Sequence, residues 1–285
     1  VFQRTQARQR ELEVMKRAGE PLDRRWLSSL RSFQSRLRWH GHFMQKLEQE
    51  PALEFENMNR GFDGMREGQF DEARFEAWVA GQTGYPMVDA CMRALRATGW
   101  LNFRMRAMVV SFASYHLWLH WRRPAHVLAR LFLDYEPGIH FSQVQMQSGV
   151  TGINTIRIYA PAKQVADQDP HGVFIRRWVP ELEAVPDTWI AEPHTMPPLL
   201  QLQLGCVIGR DYPAPIVDHV TAYRHARETV HAWKRRPEVR ALSEEVLARH
   251  GSRKRRGGGQ RSRRQKASRR PKPDMPSQDE QGRLF

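Results

Sequence analysis

Apolar residues recur along this chain at spacings of three and four, which is the pattern of amphipathic α-helices. No window shows the alternating or β-branched run, bounded by turn residues, that is typical of a strand. The sequence therefore predicts an all-α fold, a multi-helix bundle. The predicted helices lie at about 2–18, 22–48, 71–80, 86–97, 102–121, 124–134, 138–150, 171–182, 216–234 and 237–249.

Two of these predicted helices differ in how apolar they are. The segment 102–121 is apolar on all sides after its first turn, which indicates a helix buried at the centre of the bundle. The segment 22–48 is apolar along one face only, and residues 51–70 and 185–215 are expected to be irregular. The apolar stripe of the 22–48 helix consists of Trp26, Leu30, Phe33, Leu37 and Phe43.

The charge of the chain divides it into two parts. Its 285 residues carry a net charge of +14, and the last 35 residues hold +9 of it. Residues 1–250 are therefore expected to form the folded domain. Residues 251–285 have no apolar periodicity and are expected to be a disordered basic tail. Such a tail binds polyanions through counterion release, although a solvated extension without a partner is also consistent with its composition.

Several classes of protein are excluded by composition. Two cysteines are too few for a disulfide framework or a four-thiolate zinc site, so a cytoplasmic location is the default, and we expect a monomer. The longest apolar stretch, 107–121, is interrupted by polar residues and is shorter than the roughly 20 residues of a membrane span. His116 and His120 have the spacing of a helical metal pair, but no glutamate follows the first histidine, and we expect no metal site.

Two arginines lie in the first turns of the central apolar segment. Arg104 and Arg106 are separated by about 200° around a helix, so they face opposite sides. An arginine inside an apolar bundle needs an acceptor, and the nearest acids are Asp134 and Glu136. Spacing alone is consistent with a structural ion pair or with the wall of a ligand site. If the pair is buried, Arg106→Ala is expected to cost about 3–5 kcal/mol.

Three segments carry a resemblance to a known family. The stretches 81-GQTGYPMVDACMRALRATGWLNFRMRAMVVSF-112, 157-RIYAPAKQ-164 and 170-PHGVFIRRWVPELEAVP-186 resemble the photolyase/cryptochrome family. The similarity covers about 22–190, most of the helical FAD-binding domain of that family. It implies FAD as the cofactor and DNA as a partner. The family's antenna domain and its Thr-Ser-x-Leu-Ser loop, which holds the FAD diphosphate, have no match here, so a truncated fragment of a longer photolyase is one interpretation.

The resemblance assigns cofactor-binding roles to four residues. Arg106 would contact the flavin ring near N5 and O4 and pair with Asp134, while Glu136 would touch the ring or the ribityl chain. His140 occupies the position opposite flavin N5, where the family usually has Asn, Asp or Cys, and it counts as both cofactor-binding and catalytic. A histidine there can donate to N5 or accept from it, depending on its protonation.

The resemblance also assigns a DNA-binding surface. Trp39 matches the aromatic residue that stacks on a flipped pyrimidine dimer, so it counts as catalytic and DNA-binding. Arg104 and Arg157 would face the DNA phosphates. Arg36 stands where photolyases have a glutamate that contacts both the adenine and the dimer, and this charge reversal weakens the repair interpretation.

The family's electron-transfer chain is only partly matched. Trp78 and Trp121 take its distal and middle positions, but Val144 stands at the flavin-proximal position, with Phe141 or Trp118 as substitutes. The leading interpretation is light-dependent repair of cyclobutane pyrimidine dimers by electron transfer from photoexcited reduced FAD. The alternative is a cryptochrome-like or degenerate protein that binds flavin or nucleic acid without repair.

Overall fold

The computed structural model describes residues 1–250, and the predicted basic tail lies outside the described residues. Within this part the chain forms helices and no β-strand, which confirms the all-α prediction. Twelve α-helices are present in residues 1–250: α1 (Phe2–Arg17), α2 (Arg24–Gln49), α3 (Glu72–Ala80), α4 (Pro86–Thr98), α5 (Phe103–Ser111), α6 (Arg122–Leu131), α7 (Pro137–Ser148), α8 (Pro161–Gln168), α9 (Val173–Trp178), α10 (Pro198–Gln203), α11 (His219–Lys234) and α12 (Pro237–His250).

The core is built around α4 and α5. Helix α4 begins with Pro86, whose fixed φ suits a first helical position, and ends at Gly99, which has φ +72° in the left-handed region. Nine of its thirteen residues are buried against α3, α5, α8 and α9. These two helices therefore form the framework against which the other elements are packed.

The turn before α4 is anchored by one buried carboxylate. Asp89 accepts hydrogen bonds from the backbone N–H groups of Thr83 (2.7 Å) and Gly84 (3.0 Å) and from the hydroxyls of Thr83 (2.6 Å) and Tyr212 (2.5 Å). Burial raises the pKa of Asp89 in spite of these donors. The Thr-Gly-Tyr-Pro motif thus has a structural role, since it ties α4 to the distant segment at Tyr212.

The prediction of one continuous helix over 102–121 is wrong. Helix α5 ends at Ser111 and continues as a π-helix over Phe112–His116, after which the chain leaves helical geometry. Trp118 has φ +57°, in the left-handed region that favours glycine. The expected burial is nevertheless observed, because every residue from Met105 to Leu119 except Arg106 is buried. Packing, rather than helical continuity, accounts for the apolar run.

Helix α2 also departs from the sequence expectation. It packs between α1 and α7, and the residues it buries most completely are Leu27, Gln34 and Lys46. Trp26 and Phe33 of the predicted apolar stripe are instead exposed.

The remaining differences concern short elements. Helices α8 and α10 lie in segments expected to be loops, and three 3-10 turns occupy the expected irregular region at 51–70. In residues 1–250, no helix has the length and apolar character of a membrane span.

Candidate functional site

A cleft of about 180 Å³ lies between α5, the end of α6 with the loop after it, and one face of α7. It brings together four of the predicted cofactor-binding residues, and Val144 stands in the same wall. Apolar side chains, including Phe132 and Val110, form the rest of the lining, and exposed residues at its edge leave it open to solvent. The four predicted residues in the lining are Arg106, Asp134, Glu136 and His140.

The Arg106–Asp134 pair is present but is less buried than the sequence suggested. The Arg106 Nη2 donates to both carboxylate oxygens of Asp134 at 2.9 Å, and its Nε donates to the Leu101 carbonyl at 2.7 Å. The guanidinium carbon lies 4.0 Å from the centre of the Phe132 ring, a cation–π contact. However, the Asp134 side chain is 54% exposed, so the expectation of a buried ion pair is wrong.

The position of Asp134 follows from a close approach between two loops. The backbone N–H of Leu133 donates to the Gly99 carbonyl at 3.0 Å, which brings the loop after α6 against the end of α4. A Cβ atom on Gly99 would collide with the Leu133 side chain. Gly99 is thus required both for its left-handed φ and for this contact. The Asn102 side chain caps α5 by accepting from the Met105 N–H, which fixes the helix that carries Arg106.

Two buried acceptors in the cleft have no hydrogen-bond partner. Glu136 caps α7 through Oε1, which accepts from the Gly138 N–H at 3.1 Å, while its Oε2 has none. Gln143 Oε1, on the same face of α7, is also buried without a donor. The His40 Nε2 lies 3.8 Å from Glu136 Oε2, beyond hydrogen-bond distance. Unpaired buried acceptors are costly, so a ligand carrying N–H or O–H groups would satisfy them.

His140 is buried and neutral. Its Nε2 lies 2.8 Å from the Ala125 carbonyl, which can only accept, so Nε2 carries the proton and Nδ1 is the acceptor. Burial lowers the pKa of His140 to about 4. The question of whether this histidine donates or accepts is thereby answered: at neutral pH its Nδ1 accepts.

Helix α7 is held close to α2 by a glycine. A Cβ atom on Gly138 would lie 2.6 Å from the Phe43 carbonyl oxygen, so only glycine permits this approach. The contact places His40 beside Glu136, and the preceding residue, Trp39, is 45% exposed. Neither Trp39 nor His40 lines the cleft, but His40 lies beside Glu136, which does.

The other predicted site residues lie away from the cleft. Arg104 and Arg157 are exposed, and Arg104 does not share the cleft with Arg106. Trp78 and Trp121 are completely buried, and Trp121 donates to Asn57 Oδ1 at 2.7 Å.

Phe141 connects Trp121 to the cleft. Its ring lies 6.5 Å from Trp121 and 5.2 Å from His140. Phe141 and Trp118 are both absent from the cleft lining, but Phe141 contacts His140, which lines it, whereas Trp118 lines a second cavity. Phe141 is therefore the better placed of the two.

The two histidines with metal-pair spacing have separate partners. His116 Nε2 lies 2.9 Å from His219 Nδ1, and His120 Nε2 lies 3.5 Å from Glu67 Oε1. Within residues 1–250 no group of three histidine, cysteine or carboxylate side chains is arranged to hold a metal ion.

Part of the α7 face that lines the cleft was not predicted. Gln143 and Gln147 line the cleft together with Glu136 and His140, and these positions follow a spacing of three and four. Extending the helical pattern from His140 would have found both glutamines, because residues at this spacing share one face of a helix. Tyr135 also lines the cleft, but it lies in a loop, where no periodicity indicates it.

The residues of the cleft fit a flavin ring system. Such a ring has apolar edges, carbonyl oxygens and an N–H group, and these match the apolar walls, the Arg106 donor and the unpartnered acceptors of Glu136 and Gln143. The enclosed space is below the roughly 300 Å³ of a typical ligand pocket, so the open side would contain the rest of such a ligand.

Comparison with known proteins gives the same assignment. The family model described as the FAD binding domain of DNA photolyase matches residues 33–232. A deoxyribodipyrimidine photo-lyase of Alkalihalophilus pseudofirmus is 32% identical over 193 residues, 67% of this chain and 40% of the relative. A cryptochrome DASH of Gloeobacter violaceus is 38% identical over 149 residues, 52% of this chain and 30% of the relative.

Solved structures are similar as well. The crystal structure of a class III photolyase from Agrobacterium tumefaciens superimposes with a TM-score of 0.68 at 30% identity, covering 80% of this chain and 46% of that protein. The chain thus spans less than half the length of each of these three relatives. Because the family model covers most of the described residues, the chain belongs to the photolyase/cryptochrome family and corresponds to its FAD-binding domain.

Proposed function

We propose that this chain holds the FAD of a light-driven flavoprotein that repairs cyclobutane pyrimidine dimers in DNA. The observation that carries the proposal is the cleft itself, which is lined by Arg106 and by Glu136 and Gln143, each of which has a buried acceptor without a partner. When bound and reduced, FAD supplies a photoexcited electron donor. The protein's part is to hold the ring, exclude water and present the lesion.

The cleft residues divide the binding of the ring between them. Arg106 donates to carbonyl oxygens, and the Asp134 carboxylate keeps its guanidinium in place. Glu136 Oε2 and Gln143 Oε1 accept from N–H or hydroxyl groups. His140 accepts at Nδ1 because its Nε2 proton is engaged by the Ala125 carbonyl. A flavin ring nitrogen that carries a proton is therefore favoured next to His140, because Nδ1 can accept a hydrogen bond from it, whereas an unprotonated ring nitrogen has no proton to donate.

The DNA partner is supported by the charge of α1 and α2. Residues 1–49 contain eleven Lys and Arg against five Asp and Glu, whereas residues 50–250 contain twenty-two against twenty-three. The positive charge of the described residues is thus concentrated on α1 and α2, and Trp39 lies on α2. Phosphate contacts from such a surface position a duplex, and an exposed tryptophan can stack on an extruded base. Arg104 and Arg157 add exposed positive charge.

The repair assay uses the full chain with bound, reduced FAD and an oligonucleotide that contains one cyclobutane dimer. Under blue light we expect multiple turnovers, and we expect Trp39→Ala to lower the rate at least tenfold. Trp26→Ala is the matched control, because Trp26 is also an exposed tryptophan of α2 and lies 13 positions away. Equal rates for the two variants would remove Trp39 from the lesion site.

The second candidate is a cryptochrome-like flavoprotein without repair. Arg36 is exposed on α2 and Val144 stands in the cleft wall, so neither the glutamate nor the proximal tryptophan of a repair enzyme is present. A protein that retains FAD, is reduced by light and yields no turnover with the dimer oligonucleotide would belong to this class. A cytoplasmic location and a monomeric state stay predictions, which cell fractionation and light scattering test.

A further inference from the structure

A second cavity, of about 400 Å³, lies where the chain leaves the π-helix after α5. The buried His116 and Trp118 form its floor, and the more exposed Arg74 of α3, Asp218 before α11 and His225 of α11 also line it. None of its lining residues belongs to the flavin cleft. Its size falls within the roughly 300–1,000 Å³ of small-molecule sites.

The floor is made of strained backbone. Trp118, at φ +57°, is the one non-glycine residue of positive φ in residues 1–250. The π-helix ends two residues before it, and a non-glycine residue in this region of φ is strained. The strained conformation is held by a hydrogen bond of 2.8 Å from Trp118 Nε1 to Gln69 Oε1, another lining residue. In this conformation the indole ring of Trp118 lies in the floor of the cavity.

The floor also contains an unpartnered imidazole nitrogen. His116 is 2% exposed, and its ring is stacked between Phe112 and His219 at centroid distances of 4.8 and 5.0 Å. Its Nε2 is engaged with His219, but its Nδ1 has no hydrogen-bond partner. Burial, together with His219, lowers the pKa of His116 to about 3, so the ring is neutral. A ligand hydrogen bond would remove the cost of this orphaned atom.

A buried positive charge lies against the Trp118 ring. Arg66 is 1% exposed, and its guanidinium carbon lies 4.5 Å from the centre of the Trp118 ring. Its Nη1 donates to the Ser148 carbonyl at 3.1 Å, while Nε and Nη2 have no partner. Burial lowers the pKa of Arg66 to about 10, so it stays charged at neutral pH. Among the described residues Arg66 forms no direct ion pair, although the Glu67 carboxylate attracts it, and an electron-rich, anionic ligand above the Trp118 ring would also be attracted to it.

From these features we propose that the cavity binds a purine nucleotide, with the base against Trp118 and His225 and the phosphate at Arg74. The two rings meet edge to face at a centroid distance of 4.8 Å, which leaves an aromatic corner for a planar heterocycle. Asp218, the one carboxylate in the lining, accepts from an exocyclic amine, and His116 Nδ1 meets a ring nitrogen or N–H. The Arg74 guanidinium, whose Nε is paired with Asp71 at 3.1 Å, provides the charge for the phosphate.

The test is calorimetric titration of the full chain with adenosine 5′-monophosphate after saturation with FAD. We expect one saturable site, weakened at least tenfold by His225→Ala and by Arg74→Ala. His231→Ala is the matched control, because this exposed histidine lies on α11 outside the cavity, and it should leave the affinity unchanged. Adenosine should bind more weakly than its monophosphate, and Arg74→Ala should abolish that difference.

Three outcomes would overturn the proposal. They are the absence of saturable binding, equal affinity in the His225→Ala and His231→Ala variants, and release of FAD by the nucleotide. The last would locate the nucleotide in the flavin cleft. Circular dichroism of each variant shows that loss of binding is not loss of folding. Because FAD retention is measured separately, failure here leaves the proposed flavoprotein function intact.

Discussion

Replacing Arg106 by alanine separates the two roles that this residue can have. In the fold, the side chain makes an ion pair with Asp134, a hydrogen bond to the Leu101 carbonyl and a cation–π contact with Phe132. If FAD is bound in the cleft, the same guanidinium also donates to the flavin. The substitution therefore has a cost in folding and a separate cost in binding.

The folding cost can be estimated from the three contacts. An ion pair to a half-exposed carboxylate contributes about 0–1 kcal/mol, the hydrogen bond about 1 kcal/mol and the cation–π contact about 0.5–1 kcal/mol. We expect Arg106→Ala to lower the free energy of unfolding by about 2 kcal/mol. This is less than the sequence-based expectation, because the 54% exposed Asp134 is left in water and not stranded in the interior.

We expect Arg106→Ala to lose more free energy of FAD binding than the folding estimate alone suggests. A hydrogen bond from a charged donor contributes about 1.5–3 kcal/mol, so FAD affinity should fall about 10- to 100-fold. FAD retention is measured by absorbance after gel filtration, and stability by denaturant unfolding of the flavin-free chain. Arg104→Ala is the control, since Arg104 is exposed two residues away and outside the cleft. Unchanged FAD affinity in Arg106→Ala, or equal losses in both variants, would refute the assignment.

Three further predictions concern other parts of the molecule. Gly138→Ala should lower the free energy of unfolding by about 1–3 kcal/mol, because its Cβ would lie 2.6 Å from the Phe43 carbonyl, whereas Gly41→Ala, with open space around it, should be neutral or stabilising; denaturant unfolding compares the two. The pKa of His140 is lowered from 6.5 to about 4, so the unfolded chain binds more protons and stability should fall as the pH drops from about 6.5 to 4. His140→Gln should flatten that fall in unfolding curves taken across this range, and an unchanged slope would count against a buried neutral histidine. Removal of 251–285, which carries +9, should weaken DNA binding and reduce its salt dependence in fluorescence anisotropy titrations, whereas unaltered affinity would show that the tail does not contribute.

The sequence predicted the fold class and most helix positions because their signals are local. Proline at the start and glycine at the end of α4 mark its limits, and the apolar periodicity fixes its buried face. The end of α5 could not be predicted in this way, since the residues that follow it are as apolar as those of a helix. Where the chain turns, Trp118 Nε1 donates to Gln69 Oε1, a residue 49 positions earlier. A contact of that sequence separation leaves no periodic signal.

In the candidate site, too, the features with a local signal could be predicted and those that depend on distant contacts could not. Arg106 and Asp134 could be paired from sequence, but the exposure of Asp134 depends on the loop that Leu133 fastens to Gly99, which only the fold reveals. The exposure of Asp134 helps to decide whether the Arg106–Asp134 pair is a structural ion pair or forms the wall of a ligand site. A pair that only joined two helices would be expected among satisfied neighbours, as Asp89 is with its four donors.

The neighbours of Arg106 are not satisfied. Glu136 Oε2 and Gln143 Oε1 line the same cleft, are buried and have no donor, although both lie on a well-capped helix whose geometry is otherwise complete. No donor among the described residues pairs with them, so the donors of a bound ligand would satisfy them. The ion pair is therefore best understood as one side of a binding site. On that basis Gln143→Leu, which removes an orphaned acceptor, should stabilise the flavin-free chain and weaken FAD binding, whereas a structural role would predict no effect on FAD.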